Sequence, residues 1–503
     1  MNYKLAKTVD EIEEYLSSHS LIGLDIETSP KEKYRGDKKA ALDSNKSEIT
    51  GISLSVESGT GIYIPLRHQN YENADVNKVF SYIKQNILLN ENKTVVIHNA
   101  VFESSFFYAL GVVMKCKVYD TMAAAQLTLK TDTEFRNLSD SGIKKLVPAV
   151  LKEKLPTFES VTEGRFFNEL DPSNYETVRY ACADSDYALR LYHVFNKWFD
   201  RNLPRHRFIV EEIESPTAVY VGLMKHNGLL VDLDLLRQKQ SEAADMLREL
   251  KEDISILTGN VNIGSNATTQ EFKNFLYGRL GLPVLKTTEK NKEAADDEAF
   301  ILLSSYCKEK EPEYVPLFDI IKEYRKWGKI KSTYIDSYLK HLNSATGRIH
   351  PDLFPLGTET GRFASRNPNL QNCPRKDNDP IGVRNFFIAP KGKVLMSLDF
   401  SQIELRVGAF YCRDEAMMKT YKSGGDIHAK TTSVIYKIPF EEALDKNSPH
   451  YKERRTIAKS CNFGVFFGLF ARGLLRSLKF KAGLNKTLEE CEGIIKNLKA
   501  GYP

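Results

Sequence analysis

Four short apolar or alternating segments crowd the first hundred residues, at 21–26, 50–55, 61–65 and 94–98, with helical stretches between and after them. Strand signals interleaved with helical ones predict a layered α/β domain, ending near residue 195, because each strand face needs a helix or sheet to cover it. From about 205 to 340 helical periodicity takes over, most clearly over 236–257 and 316–339. Between those helices, residues 260–292 are rich in Gly, Asn, Thr and Lys and read as a loop-rich, solvent-facing excursion. Residues 345–410 return to strands, ending in Lys393-Val-Leu-Met-Ser-Leu-Asp399, and the chain after Ser401 reads as helices separated by Gly and Pro.

Composition narrows the class. With 503 residues, 42% hydrophobic and 27% charged, the chain is long enough for about three domains and an ample core. A net charge of +5 means that any polyanion is held by local basic faces rather than by the whole molecule. The seven cysteines are scattered and never spaced C-x-x-C, which implies a reducing compartment and no structural zinc. The N-terminus lacks an apolar signal core and no run is long enough to span a bilayer, so the expectation is a cytoplasmic protein with no membrane partner.

Ile22-Gly-Leu-Asp25-Ile-Glu27 places two carboxylates at alternate positions of a strand end, so both leave the same face and can bind one metal. Alone, D-x-E is a weak signal that fits many solvated turns. Two later segments strengthen it: His98-Asn99-Ala-Val-Phe102-Glu103 follows a buried strand, and Tyr180-Ala-Cys-Ala-Asp184 puts a phenol and an acid one helical turn apart. Four carboxylates gathered without cations repel, and hard divalent ions with oxygen ligands, Mg²⁺ or Mn²⁺, resolve that.

Further on, Thr358-Glu-Thr-Gly-Arg362 through Asn369-Leu-Gln371-Asn372 is dense in side-chain donors. Those residues by themselves suit either a nucleic-acid backbone and minor groove or a polar surface loop. Asp399 ends an apolar strand just before a helix, suited to a metal or to an N-cap. Arg455, Lys459, Phe463 and Phe467 recur every four residues, so one slowly drifting helix face carries two cations for phosphates and two rings for a base or sugar. The run Lys322, Arg325, Lys326, Lys329, Lys331 is either a solvated helix face or a contact for duplex phosphates.

The first three segments resemble the exonuclease motifs of the DnaQ-like proofreading fold. From Thr358 onward the chain resembles the family A DNA polymerases, in T-x-T-G-R with P-N-L-Q-N, in motif A (Asp399-Phe-Ser-Gln-Ile-Glu404-Leu-Arg) and in motif B (Arg455 to Gly464). The resemblance implies a DnaQ/RNase H-like α/β exonuclease domain over 1–200, a mostly helical thumb over 201–345, the start of an α+β palm over 346–410, and fingers over 411–503. That is an incomplete right hand.

By the same resemblance Asp25, Glu27 and Asp184 would ligate two Mg²⁺ or Mn²⁺ ions, Glu103 would complete the acids where the family usually has Asp, Tyr180 would position water, and Asn99 would contact the substrate strand. Asp399 would hold polymerase metals and Glu404 would exclude ribonucleotides. Arg455, Lys459 and His428 would hold a deoxynucleoside triphosphate, with Phe463 stacking on it and Phe467 standing where a Tyr is usual. Arg362, Asn369, Gln371 and Asn372 would meet the primer–template minor groove, and Lys329 and Lys331 the duplex phosphates.

No His-Asp-Glu segment, the family's motif C, follows residue 468. The expectation is therefore a nuclease for single-stranded 3′ ends that does not extend primers alone, the N-terminal part of a truncated or split polymerase. Its polymerase metals would bind only with motif C supplied, and a separately encoded C-terminal fragment is the implied partner. The absence of a 5′ nuclease domain fits a phage-like origin and so the cytosol of a bacterial host. Two other readings stay open: an enzyme that is an exonuclease only, and a non-catalytic DNA-binding subunit.

Overall fold

The structure is a computed structural model and describes residues 1–131, 141–374, 379–465 and 468–502. Its first elements are β1 (Asn2–Leu5), α1 (Val9–Leu16), β2 (Leu21–Pro30), β3 (Ser47–Ser55), β4 (Thr60–Pro65), α2 (Val76–Ile83), β5 (Thr94–Ile97), α3 (Ala100–Ala109), β6 (Lys117–Asp120), α4 (Thr121–Thr131), α5 (Ile143–Leu146), α6 (Phe158–Thr162) and α7 (Tyr175–Asn202). The strands form one six-stranded mixed sheet in the order β1-β4-β3-β2-β5-β6. The four expected strands are all present; β1 and β6 are additions, too short and too polar at their starts to declare themselves.

Strand β2 decides how the layers stack. Ile22, Leu24 and Ile26 are buried on one face and pack with Ile12, Leu16, Val79, Ile83, Phe106 and Phe107 from α1, α2 and α3. By the two-residue period of a strand, Gly23, Asp25 and Glu27 share the opposite face. Helix α7 crosses that face and packs against β2, β3 and β4.

Later elements, in chain order, are α8 (Pro204–Phe208), α9 (Ser215–Asn227), β7 (Leu229–Leu230), α10 (Leu233–Thr258), α11 (Gln270–Lys273), α12 (Asp297–Lys310), α13 (Val315–Lys329), α14 (Ser337–Lys340), β8 (Leu342–Asn343), β9 (Arg348–Ile349), β10 (Asp352–Phe354) and β11 (Ala364–Arg366). Then come α15 (Ile403–Cys412), α16 (Glu415–Lys422), α17 (Ile427–Tyr436), α18 (Phe440–Leu444), α19 (Tyr451–Val465), α20 (Ala471–Ala482) and α21 (Leu488–Gly501). Contacts divide the chain into two compact units, Met1–Ala244 with Lys329–Lys393, and Asp245–Gly328 with Val394–Pro503.

Two expectations fail in the second unit. The excursion over 260–292 is anchored rather than solvated, because Phe272, Phe275 and Leu276 enter a core with Phe300, Leu303, Phe318 and Ile321. The strand expected at 393–399 is chain without regular secondary structure. Its Val394, Leu395, Met396, Leu398 and Phe400 are 82%, 57%, 75%, 86% and 80% exposed. A run apolar on both faces needs strands on either side for its N–H and C=O groups, and among the described residues none pairs with it. No helix among the described residues is long and apolar enough to cross a membrane.

Gly23 permits the contact between β2 and α7: a Cβ there would lie 2.3 Å from the Ser185 carbonyl oxygen and 3.2 Å from Leu189 Cβ. The obstacle is helix backbone, which cannot rotate aside. Gly23→Ala is therefore expected to push α7 off the sheet, destabilising the domain by about 1–3 kcal/mol. Gly36→Ala, where a Cβ meets nothing within 4 Å, should leave the unfolding temperature unchanged; thermal melts of the two variants make the comparison.

Candidate active site

Three elements bring the first set of acids together. Asp25 and Glu27 stand half-buried on β2, Asp184 half-buried on α7, and Glu103 fully buried in the first turn of α3. Burial pushes Asp25 up from the ordinary carboxylate range, and Asp184 pushes it further. Burial does the same to Glu27, aided by Asp25 and Asp184, and to Glu103, aided by Asp25. Asp184 is raised by burial to about 6 while Lys144 pulls it down.

Asp25, Glu27 and Glu103 thus each feel an acid on another element, as a shared cation site requires. Glu103 Oε2 is also buried with no hydrogen-bond partner among the described residues. These donors fit hard divalent ions, although no three His, Cys, Asp or Glu among the described residues converge tightly enough to form a finished metal shell.

Tyr180 lies one turn before Asp184 on α7, buried between Phe158 and Phe167 with ring centroids 6.1 and 5.8 Å away. Burial, then Glu27 and Asp184, raise its phenol, which stays protonated. Asp120 was not apparent from the sequence. At the end of β6 it accepts from the Asn99 and Ala100 backbone N–H groups, both at 3.0 Å, and from Met122 N–H at 2.8 Å. These bonds hold Asn99 in the left-handed region, φ 74°, at the start of α3, and so fix where Glu103 enters. The signal was present as an acid closing a short strand, but only its partners reveal the role.

The second set is gathered less completely. In the second unit, α17 and α19 bring His428, Arg455 and Phe463 near one another: the His428 and Phe463 rings are 5.9 Å apart, and Asp426 Oδ2 accepts from Arg455 Nη2 at 2.6 Å. Asp426 is thus a partner of Arg455 that sequence reasoning missed. His428 is buried, hydrogen-bonded through Nδ1 to Asn462 Nδ2 at 2.8 Å, and lowered to about 4 mainly by burial, so near neutral pH it carries no charge. Lys459 is exposed and Phe463 is 45% exposed. Phe467 lies outside the described residues.

Asp399 is exposed in the irregular segment before α15, and Glu404 lies in the first turn of α15. In the first unit Arg362, Asn369, Gln371 and Asn372 are exposed. Tyr334 O–H donates to the Asn372 carbonyl at 2.8 Å, which ties that loop to the chain before α14. The basic run does not act as one face. Arg325 stacks on Phe300 at 3.9 Å and donates to the Asn266, Ala267 and Ala295 carbonyls, Lys331 pairs with Asp336 at 2.7 Å, and Lys322 and Lys329 are exposed.

A 3′-5′ exonuclease family model matches residues 3–200 and the DNA polymerase family A model matches residues 233–503. The chain belongs to DNA polymerase family A. It is 27% identical over 497 residues to DNA polymerase I of Pseudomonas aeruginosa, covering 97% of this chain and 50% of that protein. It is 30% identical over 473 residues to DNA polymerase I of Chloroflexus aurantiacus, covering 92% and 46%. The chain thus spans about half the length of the curated relatives it matches. The fold is similar to the POL domain of Pol1 from M. smegmatis, solved in complex with DNA primer-template and dNTP, with a TM-score of 0.77, 22% identity, and coverage of 99% of this chain and 76% of that one.

Two outcomes follow from this geometry. Asp184 binds its proton more tightly folded than unfolded, so without metal its stabilising protonation is complete below 3.8 and lost as pH rises through about 6. In EDTA, Asp184→Asn should therefore be more stable than wild type at pH 8, by about 1–2 kcal/mol allowing for solvent screening. The gain should shrink towards pH 5 in thermal melts. Asp120→Ala, which strands backbone N–H groups at the start of α3, should cost about 1–3 kcal/mol and lower any nuclease rate through Glu103.

Proposed function

We propose that residues 1–200 form a 3′→5′ exonuclease and that the rest of the chain, with thumb over 201–345, palm over 346–410 and fingers over 411–503, binds primer–template and deoxynucleotide. The observation that carries the nuclease reading is the convergence of Asp25, Glu27, Glu103 and Asp184, each raised by burial and most of them by one another. Acids so placed suit divalent cations.

Asp25, Glu27 and Asp184, with Glu103 beside them, would hold two Mg²⁺ or Mn²⁺ ions, which supply Lewis acidity and an acidified water when bound. In the hydrolysis a water oxygen bonds to the terminal phosphorus, the P–O3′ bond breaks, and the elements of water end on a nucleoside 5′-phosphate and a new 3′ hydroxyl. Tyr180, protonated and wedged between aromatic rings, orients the attacking water through its O–H. Asn99, at the start of α3, lines a small cavity of about 90 Å³ with Phe102, Met122 and Gln126 and is placed to contact the substrate strand. Single-stranded or mismatched 3′ ends are the preferred substrate, because a paired end must first be unstacked.

In the polymerase portion, Arg455 and Lys459 supply charge for a triphosphate, neutral His428 serves as a hydrogen-bond donor rather than a cation, and Phe463 offers a stacking face. Arg455 holds Asp426 through Nη2, while its Nη1 has no hydrogen-bond partner among the described residues. Asp399 is a single exposed acid, and one carboxylate is a weak holder of two divalent ions. These residues are therefore proposed to be nuclease-competent and, with Asp399 as a single exposed acid at the polymerase centre, unable to extend primers by themselves.

A 5′-labelled primer with a 3′ mismatch on its template, with Mg²⁺ and all four deoxynucleotides, reads both reactions in one lane. The expected result is shortening without lengthening, abolished in Asp25→Ala by about 10⁴-fold or more, the scale for a lost catalytic group. Lengthening by the pure chain would refute the polymerase half of the proposal, and full nuclease activity in Asp25→Ala the other half.

A further inference from the structure

A lysine outside the acidic motifs faces the same centre. Burial, Asp25 and Asp184 push Glu27 up, and the Lys144 ammonium opposes them; the same ammonium opposes the rise of Asp184. Lys144 Nζ also lies 5.8 Å from the centroid of the Tyr180 ring. One cation is thus within electrostatic reach of an acid on β2, an acid on α7 and the phenol assigned to water.

Its position is built rather than incidental. Lys144 is exposed, yet its neighbours Ile143 and Leu146 on α5 are buried, 8% and 1% exposed, in a cluster with Ala183, Tyr187 and Ala188 of α7. That packing clamps α5 to the helix carrying Tyr180 and Asp184, so the Lys144 backbone has little freedom although its side chain has some. Lys144 acts on Glu27 and Asp184 through its charge, without a hydrogen bond to either among the described residues. An ammonium near two carboxylates but bonded to neither can take a third anion entering between them.

We propose that Lys144 is a catalytic residue of the exonuclease centre, contacting a non-bridging oxygen of the scissile phosphate from the side of Tyr180. This rests on the exonuclease reading above. As the water oxygen bonds to phosphorus and the P–O3′ bond breaks, negative charge builds on the non-bridging and departing oxygens. A fixed cation there favours the transition state over the ground state. The proton of the attacking water leaves to solvent and the 3′ oxygen gains one from solvent, so Lys144 keeps its own proton throughout.

Steady-state hydrolysis of a single-stranded, 3′-labelled oligonucleotide by the full chain, with Mg²⁺ titrated to saturation, tests this. Lys144→Ala should lower kcat by about 10- to 100-fold, the scale for removing one transition-state donor, with KM changed less. Lys144→Arg should recover a large part of the rate, and Lys145→Ala, the exposed neighbour on the same helix, should match wild type. The Mg²⁺ needed for half-maximal rate should stay the same or fall in Lys144→Ala, since a competing cation has gone.

If Lys144→Ala keeps wild-type kcat at saturating Mg²⁺, or Lys145→Ala loses as much, the inference is wrong and Lys144 is a solvated rim charge. If wild type and Asp25→Ala are equally inactive, the exonuclease reading itself has failed. Unchanged thermal melts of the Lys144 variants, whose side chain is exposed, keep a kinetic loss from being a folding defect.

Discussion

The close approach of α7 to β2 is the contact on which the first domain depends. A strand whose one face carries Gly23, Asp25 and Glu27 would ordinarily turn that face to water. Here the missing side chain at Gly23 lets the Ser185 backbone reach the sheet, and Leu189 and Tyr187 seal the layer as part of a buried cluster. Asp184 precedes Ser185 by one residue. The interaction that closes the hydrophobic layer therefore also delivers the third acid, so core packing and site assembly are one event.

The electrostatics oppose that packing. Burial raises the proton affinity of all four carboxyls, and neighbouring acids raise that of Asp25, Glu27 and Glu103 further, so the fold is most comfortable with them neutral or neutralised by cations. Asp120 is also buried and raised, but three of its hydrogen bonds come from backbone N–H groups at the start of α3 and just after β6. It anchors local structure, whereas Glu103 Oε2, a turn further along α3, has no such partner. Two acids close in sequence are thus separated into a scaffold acid and an available one by which donors the backbone offers them.

The second unit is ordered around its own cores and differs in how it treats apolar surface. Helices α17, α19, α20 and α21 bury Ile435, Ile457, Leu474, Leu478 and Leu498 together, while Val394 to Phe400 and then Phe410 and Tyr411 stay open. The apolar run at 394–400 was legible as a strand, and the expectation failed because a strand is made by neighbours that hydrogen-bond to it. The basic run over 322–331 is divided for a related reason. Charge spacing shows what a helix can present, but Arg325 was drawn inward by Phe300 and by carbonyls of the preceding loop, and Lys331 by Asp336.

What the sequence alone determined is the set of local patterns: period-two alternation placed Asp25 and Glu27 on one face, a four-residue step placed Tyr180 over Asp184, and a run of such steps placed Arg455, Lys459 and Phe463 along one helix. Those patterns follow from backbone geometry, which needs no partner. What only the tertiary structure decided is which distant residues meet them: Ser185 against Gly23, Asp120 at the start of α3, Asp426 on Arg455, and Lys144 beside Tyr180. Such meetings are set by chain topology and by the requirement that buried polar groups find partners, and no spacing along the chain encodes them.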